Sequence, residues 1–295
     1  MEVSTDTVAG PIHRPTNVTY QDRGSIHDDE TARRLGLRGG TIAASTHFDQ
    51  FPPVLIEAFG PGWFESGSLS LYFRHATTDG EPVQAFVDRP KPGTTAAQTI
   101  AMMRTDNGTA VAEGTASGGH HDEPTALEAR DLRHEPSGLH ILGGVRQGDP
   151  IGPVTGRIDG DAQAVRLDQG LVTEPLDWYR STSPWGLAIA SPSAIISMLT
   201  NAAGAALLGR IGEAVGLWGA FEIRNVHGPV FVDTDYTLSG RIVALGSSPK
   251  TENLWYDMTI HDGDRTVATM RNLTRFMKAS SALYEEQVDS STSPS

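Results

Sequence analysis

Ser45-Thr-His-Phe-Asp-Gln-Phe-Pro-Pro-Val-Leu-Ile-Glu-Ala-Phe59 is an apolar segment closed by Gly60. The strand pattern Leu69-Ser-Leu-Tyr-Phe-Arg-His75, the turn Asp79-Gly80 and a second strand pattern Val83-Gln-Ala-Phe-Val87 come after it. This order of helix, strand, turn and strand decides the fold, because it occurs twice. In the second half the apolar segment Pro192 to Leu208 leads to Ala220-Phe-Glu-Ile-Arg224, then His227-Gly228, then Val230 to Leu238. Each half closes with two more strand patterns joined by turn-forming Asp, Asn and Gly: Ala97 to Arg104 with Ala110 to Ala116, and Glu252 to His261 with Arg265 to Met277. Each half therefore reads as one long helix plus an antiparallel sheet. Both helical segments are nearly apolar all round, which suits a helix enclosed by a sheet. Gly240, inside the strand Thr237 to Leu245, predicts a bulge or bend that lets the sheet curve.

A length of 295 residues makes two modules the leading expectation. The boundaries read as residues 1–118 for the first module, 119–176 for a connector rich in Gly, Pro, Asp and His, 177–279 for the second module, and 280–295 for a frayed polar tail. Within the connector only Ala162 to Leu167 reads as a strand. The stretch from Gly186 to Gly209 carries no charge, but Pro192, Thr200, Asn201 and its serines mark a core helix rather than a membrane span.

Composition excludes several function classes. A formal net charge of -13, with no basic run, argues against nucleic-acid binding, which needs clustered Lys and Arg. A few local arginines can still create a positive cleft. The absence of cysteine removes disulfides, thiolate metal sites and a cysteine nucleophile. The first sixteen residues lack the basic start and apolar core of a secretory signal, so the expected location is the cytoplasm. No phosphate-binding glycine loop, serine-nucleophile elbow or dinucleotide fingerprint is found. His120-His121-Asp122-Glu123 lies in a Gly-rich linker without a helically spaced second ligand pair, so no metal is expected.

The densest cluster of chemistry-bearing residues runs from Tyr20 to Ser45. Asp22 precedes His27 by five positions, Ile26 precedes the histidine, and Ala32-Arg33-Arg34-Leu35-Gly36-Leu37-Arg38-Gly39-Gly40 leads to the first helix. This segment resembles the signature of the MaoC-like enoyl-CoA hydratases and dehydratases of the two-hot-dog type. That signature has an aspartate, any residue, Asn-Pro, an aliphatic residue and a histidine. Here Gly24-Ser25 stands in place of Asn-Pro. The stretch Gly62-Trp63-Phe64-Glu65-Ser66-Gly67 and the strand after it extend the likeness over most of residues 20 to 116, and residues 183 to 279 resemble the degenerate second half of such proteins.

The resemblance implies an α+β double hot-dog: two modules, each with a long central helix wrapped by a curved antiparallel sheet. It implies one active site per chain, adding water to or removing it from an acyl-CoA thioester, with Asp22 and His27 as the acid/base pair. Coenzyme A would be part of the substrate, and no separate cofactor is expected. Backbone N–H groups at Ala44 and Ser45 would polarise the thioester oxygen, although Ser45 is equally well placed as a helix cap. Arg33, Arg34 and Arg38 could meet phosphates, or simply pair with Asp28, Asp29 and Glu30. Gly40, His47 and Trp63 complete the expected substrate-binding set. His47 and Asp49, two positions apart, face different ways, so His47 should pack or line the pocket mouth. Two other readings share the scaffold: a thioesterase in which Asp22 or Glu57 activates water, and a non-catalytic module for acyl-ligand binding or assembly. Pairing of the two halves edge to edge would spare exposed sheet edges, and a further homodimer is expected.

Overall fold

A computed structural model describes residues 6–18, 24–94, 97–132 and 134–284. Ten strands form one antiparallel sheet. In chain order they are β1 (Thr7–His13), β2 (Ser68–Phe73), β3 (Val83–Asp88), β4 (Gln98–Thr105), β5 (Ala110–Ser117), β6 (Pro150–Gly156), β7 (Gly216–Asn225), β8 (Tyr236–Ser247), β9 (Thr251–Asp262) and β10 (Arg265–Met277). Their spatial order is β1-β3-β4-β5-β2-β7-β10-β9-β8-β6. Each half is thus a five-strand sheet with the same internal order, and the two join through β2 and β7. That ladder pairs Ser68 with Arg224 at one end and Tyr72 with Ala220 at the other. The expected α+β double hot-dog, with edge-to-edge pairing of its halves, is the observed architecture.

The repeat contains more than the sequence patterns disclose. The outermost strand of each half, β1 and β6, is not among the strand patterns read from the sequence; each is interrupted by a Gly-Pro pair, Gly10-Pro11 and Gly152-Pro153. Proline lacks the N–H that a central strand must donate, so it is tolerated at a sheet edge or a bulge. Both pairings shift register at these dipeptides, between Ala9 and Ile12 and between Ile151 and Val154. The second repeat therefore begins at β6, inside the segment read as connector. The bend expected at Gly240 is displaced: the shift between β8 and β9 lies between Ile242 and Ala244. Val230 to Asp235, read as strand, precedes β8 as a bridge and turn, with Asp233 at a φ of 57°.

Helices also depart from expectation. The single helix expected over Ser45 to Phe59 is two, α2 (Ala44–Phe48) and α3 (Pro52–Phe59). Pro52 and Pro53 cannot donate the backbone bonds that would continue α2, but they suit the first turn of a new helix. Ala162 to Leu167, read as a strand, is the body of α5 (Gly160–Asp168). Asp159 caps it, accepting from the Ala162 N–H at 2.7 Å, and alternating apolar residues cannot outweigh that cap with good helix formers behind it. In the first half α1 (Asp29–Arg34) holds the corresponding place, capped by Asp28, whose carboxylate accepts from the Thr31 N–H at 3.1 Å. The segment Trp63–Ser66 forms one further turn, α4. The second long helix, α6 (Pro192–Leu207), begins at Ser191, whose hydroxyl accepts from the Ala194 N–H at 3.3 Å. Its buried stripe faces the sheet, while Asn201, Ala205 and the following Leu208 are exposed, so this helix is not fully enclosed. Among the described residues no helix is long and apolar enough to cross a membrane.

One hydrophobic core runs through both halves. Phe48 of α2 meets Phe221 of β7 edge to face at 5.9 Å, and Phe64 meets Trp178 at 6.1 Å and Trp185 at 6.0 Å. On the outer face of the sheet, Leu127 of the connector is buried against Ala220, Ala244, Trp255 and Leu273. Residues 280–284 are described, and the remainder of the expected tail lies outside the described residues. A core shared in this way predicts one cooperative unfolding transition. Phe221→Ala should lower stability by about 3–5 kcal/mol, the usual range for emptying a buried aromatic site, without splitting the transition. Urea denaturation monitored by circular dichroism and by tryptophan fluorescence checks this; two separate midpoints would show independent modules.

Candidate functional site

The ladder between β2 and β7 stops at Tyr72–Ala220, yet β7 starts four residues earlier, at Gly216, and the chain leaving β2 continues through Arg74 to Thr77. A cavity of about 330 Å³ occupies this fork. Phe73 to Thr77 line it from the first half, and Gly216 to Trp218 with Arg275 of β10 line it from the second. Ile26, His27, Leu37, Thr41, Ile42, Ala44 and His47 complete its wall. The second half, although it lacks an Asp/His pair, supplies part of the site.

His27 is held by its own loop. Its Nδ1 lies 2.7 Å from the Thr41 carbonyl oxygen, which can only accept, so Nδ1 carries the proton and Nε2 of the neutral ring is left with a lone pair. The Thr41 N–H donates to the Ile26 carbonyl at 2.9 Å, and the Gly40 N–H donates to the Asp29 carboxylate at 2.7 Å. Gly40 makes this approach possible, because a Cβ there would lie 2.2 Å from the His27 carbonyl oxygen. The expected substrate-binding glycine thus acts by seating the His27 loop. Asp22, its expected partner, lies outside the described residues.

Ala44, at the first position of α2, lines the cavity, and Ser45 follows it in the buried first turn. The cap of α2 is Ala43, which has no side-chain bond to offer, so Ser45 is not the helix cap. N–H groups this early in a helix have no intrahelical acceptor.

His47 lines the cavity as expected and is buried, with Nε2 2.8 Å from the Thr77 hydroxyl. Burial, partly offset by the Glu81 charge, pushes its pKa down to about 4, so the ring is neutral near pH 7. Asp49 faces away from it towards the second half. One carboxylate oxygen accepts from the Ser193 N–H, at the start of α6, at 2.8 Å. Burial pushes the Asp49 pKa up to about 7 in spite of that bond.

Four expected participants are elsewhere. Trp63 is 2% exposed, donates to the Ser68 carbonyl at 3.3 Å and packs on Phe64, so it is a core residue and not a substrate contact. Arg33 pairs on the surface with Asp29 at 3.0 Å, and Arg38 pairs with Glu81 at 2.6 Å; neither lines the cavity. Glu57 is exposed and paired with Arg89, remote from the cavity wall, which removes it as a water-activating base. Among the described residues no His, Asp and Glu cluster could hold a metal, His120 to Glu123 included. Sequence reasoning missed Phe73 to Thr77, Trp218 and Arg275. The polar ending Arg74-His75 of an otherwise apolar strand was the one visible signal.

No protein-family model matches the chain, and no curated protein matches it in sequence. Solved structures do resemble it. A MaoC domain dehydratase from Chloroflexus aurantiacus superposes with a TM-score of 0.60 at 13% identity, covering 92% of this chain and 94% of the other. A Mycobacterium tuberculosis protein described as a double hot-dog gives 0.55 at 13% identity, covering 92% and 96%. A MaoC-like dehydratase gives 0.52 at 10% identity, covering 92% and 98%. At these identities the likeness shows the double hot-dog fold.

The two shifted groups set opposing pH responses. An acid with a folded pKa above its ordinary 3.8 holds more protons folded than unfolded, so Asp49's contribution is complete below about pH 4 and lost as pH rises to about 7. His47, with a folded pKa below its ordinary 6.5, holds fewer protons folded, so its contribution is lost as pH falls from about 6.5 to about 4. Asp49→Asn keeps an acceptor for Ser193 and should make stability fall more steeply on acidification across that window. Urea midpoints measured from pH 4 to 7 check the slope.

Proposed function

We propose that the cavity between β2 and β7 is the active site of a hydratase/dehydratase acting on an acyl-CoA thioester. The observation that carries this reading is His27: a cavity-lining imidazole whose Nδ1–H is tied to a backbone carbonyl, leaving Nε2 as the proton acceptor. In the hydration direction His27, with Asp22 as its partner, takes a proton from water as the oxygen bonds to the β-carbon. Electron density moves to the thioester oxygen, and a proton is then delivered to the α-carbon. Dehydration reverses these steps. Backbone N–H groups at Ala44 and Ser45 are the assigned donors to the thioester oxygen.

The cavity's size and largely apolar wall agree with an acyl arm, and neutral His47 adds no charge to it. Two of the structural neighbours are described as dehydratases, which is consistent with this chemistry. A cytoplasmic homodimer is the setting we propose for it.

Turnover is tested with a panel of enoyl-CoA and 3-hydroxyacyl-CoA thioesters, monitoring loss or gain of the conjugated thioester chromophore in parallel with thiol release. His27→Gln and Asp22→Asn should each lower hydratase turnover about 100-fold or more, the usual weight of a general acid/base, with unchanged circular dichroism. Thiol release without chromophore change would assign a thioesterase. Binding without turnover would assign a non-catalytic acyl-ligand module.

A further inference from the structure

Where the β2–β7 ladder ends, Tyr72 gathers three guanidinium groups around one ring. The Arg130 carbon lies 3.6 Å from the ring centre, that of Arg275 5.1 Å and that of Arg74 5.2 Å. Arg275 also donates to the Tyr72 hydroxyl. The three come from separate parts of the chain: Arg74 leaves β2, Arg275 belongs to β10, and Arg130 arrives on the connector, which the buried Leu127 pins to the outer face of the sheet. Gly219 leaves room for the cluster, since a Cβ there would lie 2.8 Å from the Arg275 Nε. Arg74 and Arg275 are at the same time walls of the cavity.

Charge balance is incomplete at this point. Arg74 has a carboxylate partner, Glu113 at 3.2 Å. Among the described residues neither Arg130 nor Arg275 has one, in a chain with 36 acidic side chains against 23 basic ones. Three like charges gathered around one ring repel one another. Burial, together with the weaker effect of the Arg74 and Arg275 charges, disfavours the charged form of Arg130, with only Tyr72 opposing. A site of this kind is relieved by an anion with several oxygens, because guanidinium forks match phosphate geometry.

We propose that Arg74, Arg130 and Arg275, carried on Tyr72, form a phosphate clamp at the mouth of the cavity, taking the phosphate groups of a ligand whose acyl arm enters between β2 and β7. The acyl arm rests on the thioester reading; the anion site rests on the cluster alone. The clamp replaces Arg33 and Arg38, which are paired elsewhere, and it joins both modules and the connector around one ligand.

Calorimetric titration of the full chain with coenzyme A, pantetheine and inorganic pyrophosphate tests this, using Arg130→Gln, Arg275→Gln, the double variant, and Arg33→Gln as comparison. Each clamp substitution should weaken coenzyme A binding about 10-fold or more, as expected for a lost charge-assisted bond. Pantetheine binding and Arg33→Gln should be unaffected, and the Tm of the clamp variants should not fall. Equal affinity of the double variant and the wild type for coenzyme A and pyrophosphate would overturn the clamp. Equal losses for pantetheine, or a lowered Tm without a phosphate-specific loss, would also overturn it by assigning a structural role. Pyrophosphate binding lost in the variants, with no coenzyme A binding by the wild type, would keep the clamp and remove the thioester reading. Affinity for coenzyme A but not pyrophosphate, with the same phosphate-specific loss, would support the clamp and tie the anion to the longer ligand.

Discussion

Five residue pairs between β2 and β7, from Ser68–Arg224 to Tyr72–Ala220, hold the two halves of this molecule in one frame. Backbone hydrogen bonding along that ladder turns two five-strand sheets into one and leaves the outer edges to β1 and β6. It also brings Phe48 against Phe221, so that the cores merge. Because the ladder ends before β7 does, the two modules part and the cavity opens between them. The site is therefore a product of the joint between repeats, not of either repeat alone.

Loss of symmetry has a physical use here. Prolines at 52 and 53 break the first helical segment, whereas the second continues for sixteen residues. The break puts Asp49 at the start of α6, where its carboxyl accepts a backbone bond from the other module. The same short α2 sets Ala44 and His47 on the cavity wall. Across from them the second module offers Trp218 and Arg275 instead of an acid/base pair. One half carries the titratable group at the centre of the proposed chemistry, and the other shapes the mouth.

His27 illustrates how local order fixes the orientation of one imidazole. Its tautomer is set by a carbonyl that cannot donate, and that carbonyl is in place because Gly40 permits the two backbone segments to touch. Asn17 adds a donor to the His27 carbonyl at 2.8 Å. The arginines show the opposite case. Arg33 and Arg38 stand beside the motif in sequence but are tied to Asp29 and Glu81, whereas Arg130, on the distant connector, shares the ring of Tyr72 with cavity-lining neighbours.

Periodicity and turn residues in the sequence were enough for the repeat and for eight of the ten strands at least in outline, because these depend on neighbours a few positions apart, while His27 was singled out only through the resemblance of residues 20 to 45 to the MaoC-like signature. The edge strands were hidden by Gly-Pro dipeptides that only a partner strand makes tolerable, and α5 by an alternation that Asp159 overrides. Trp63 in the core, Glu57 on the surface and the gathering of Arg74, Arg130 and Arg275 depended on contacts between distant segments. Local sequence determines which element a stretch can form; which side chains meet depends on the register of a ladder joining residues some 150 positions apart.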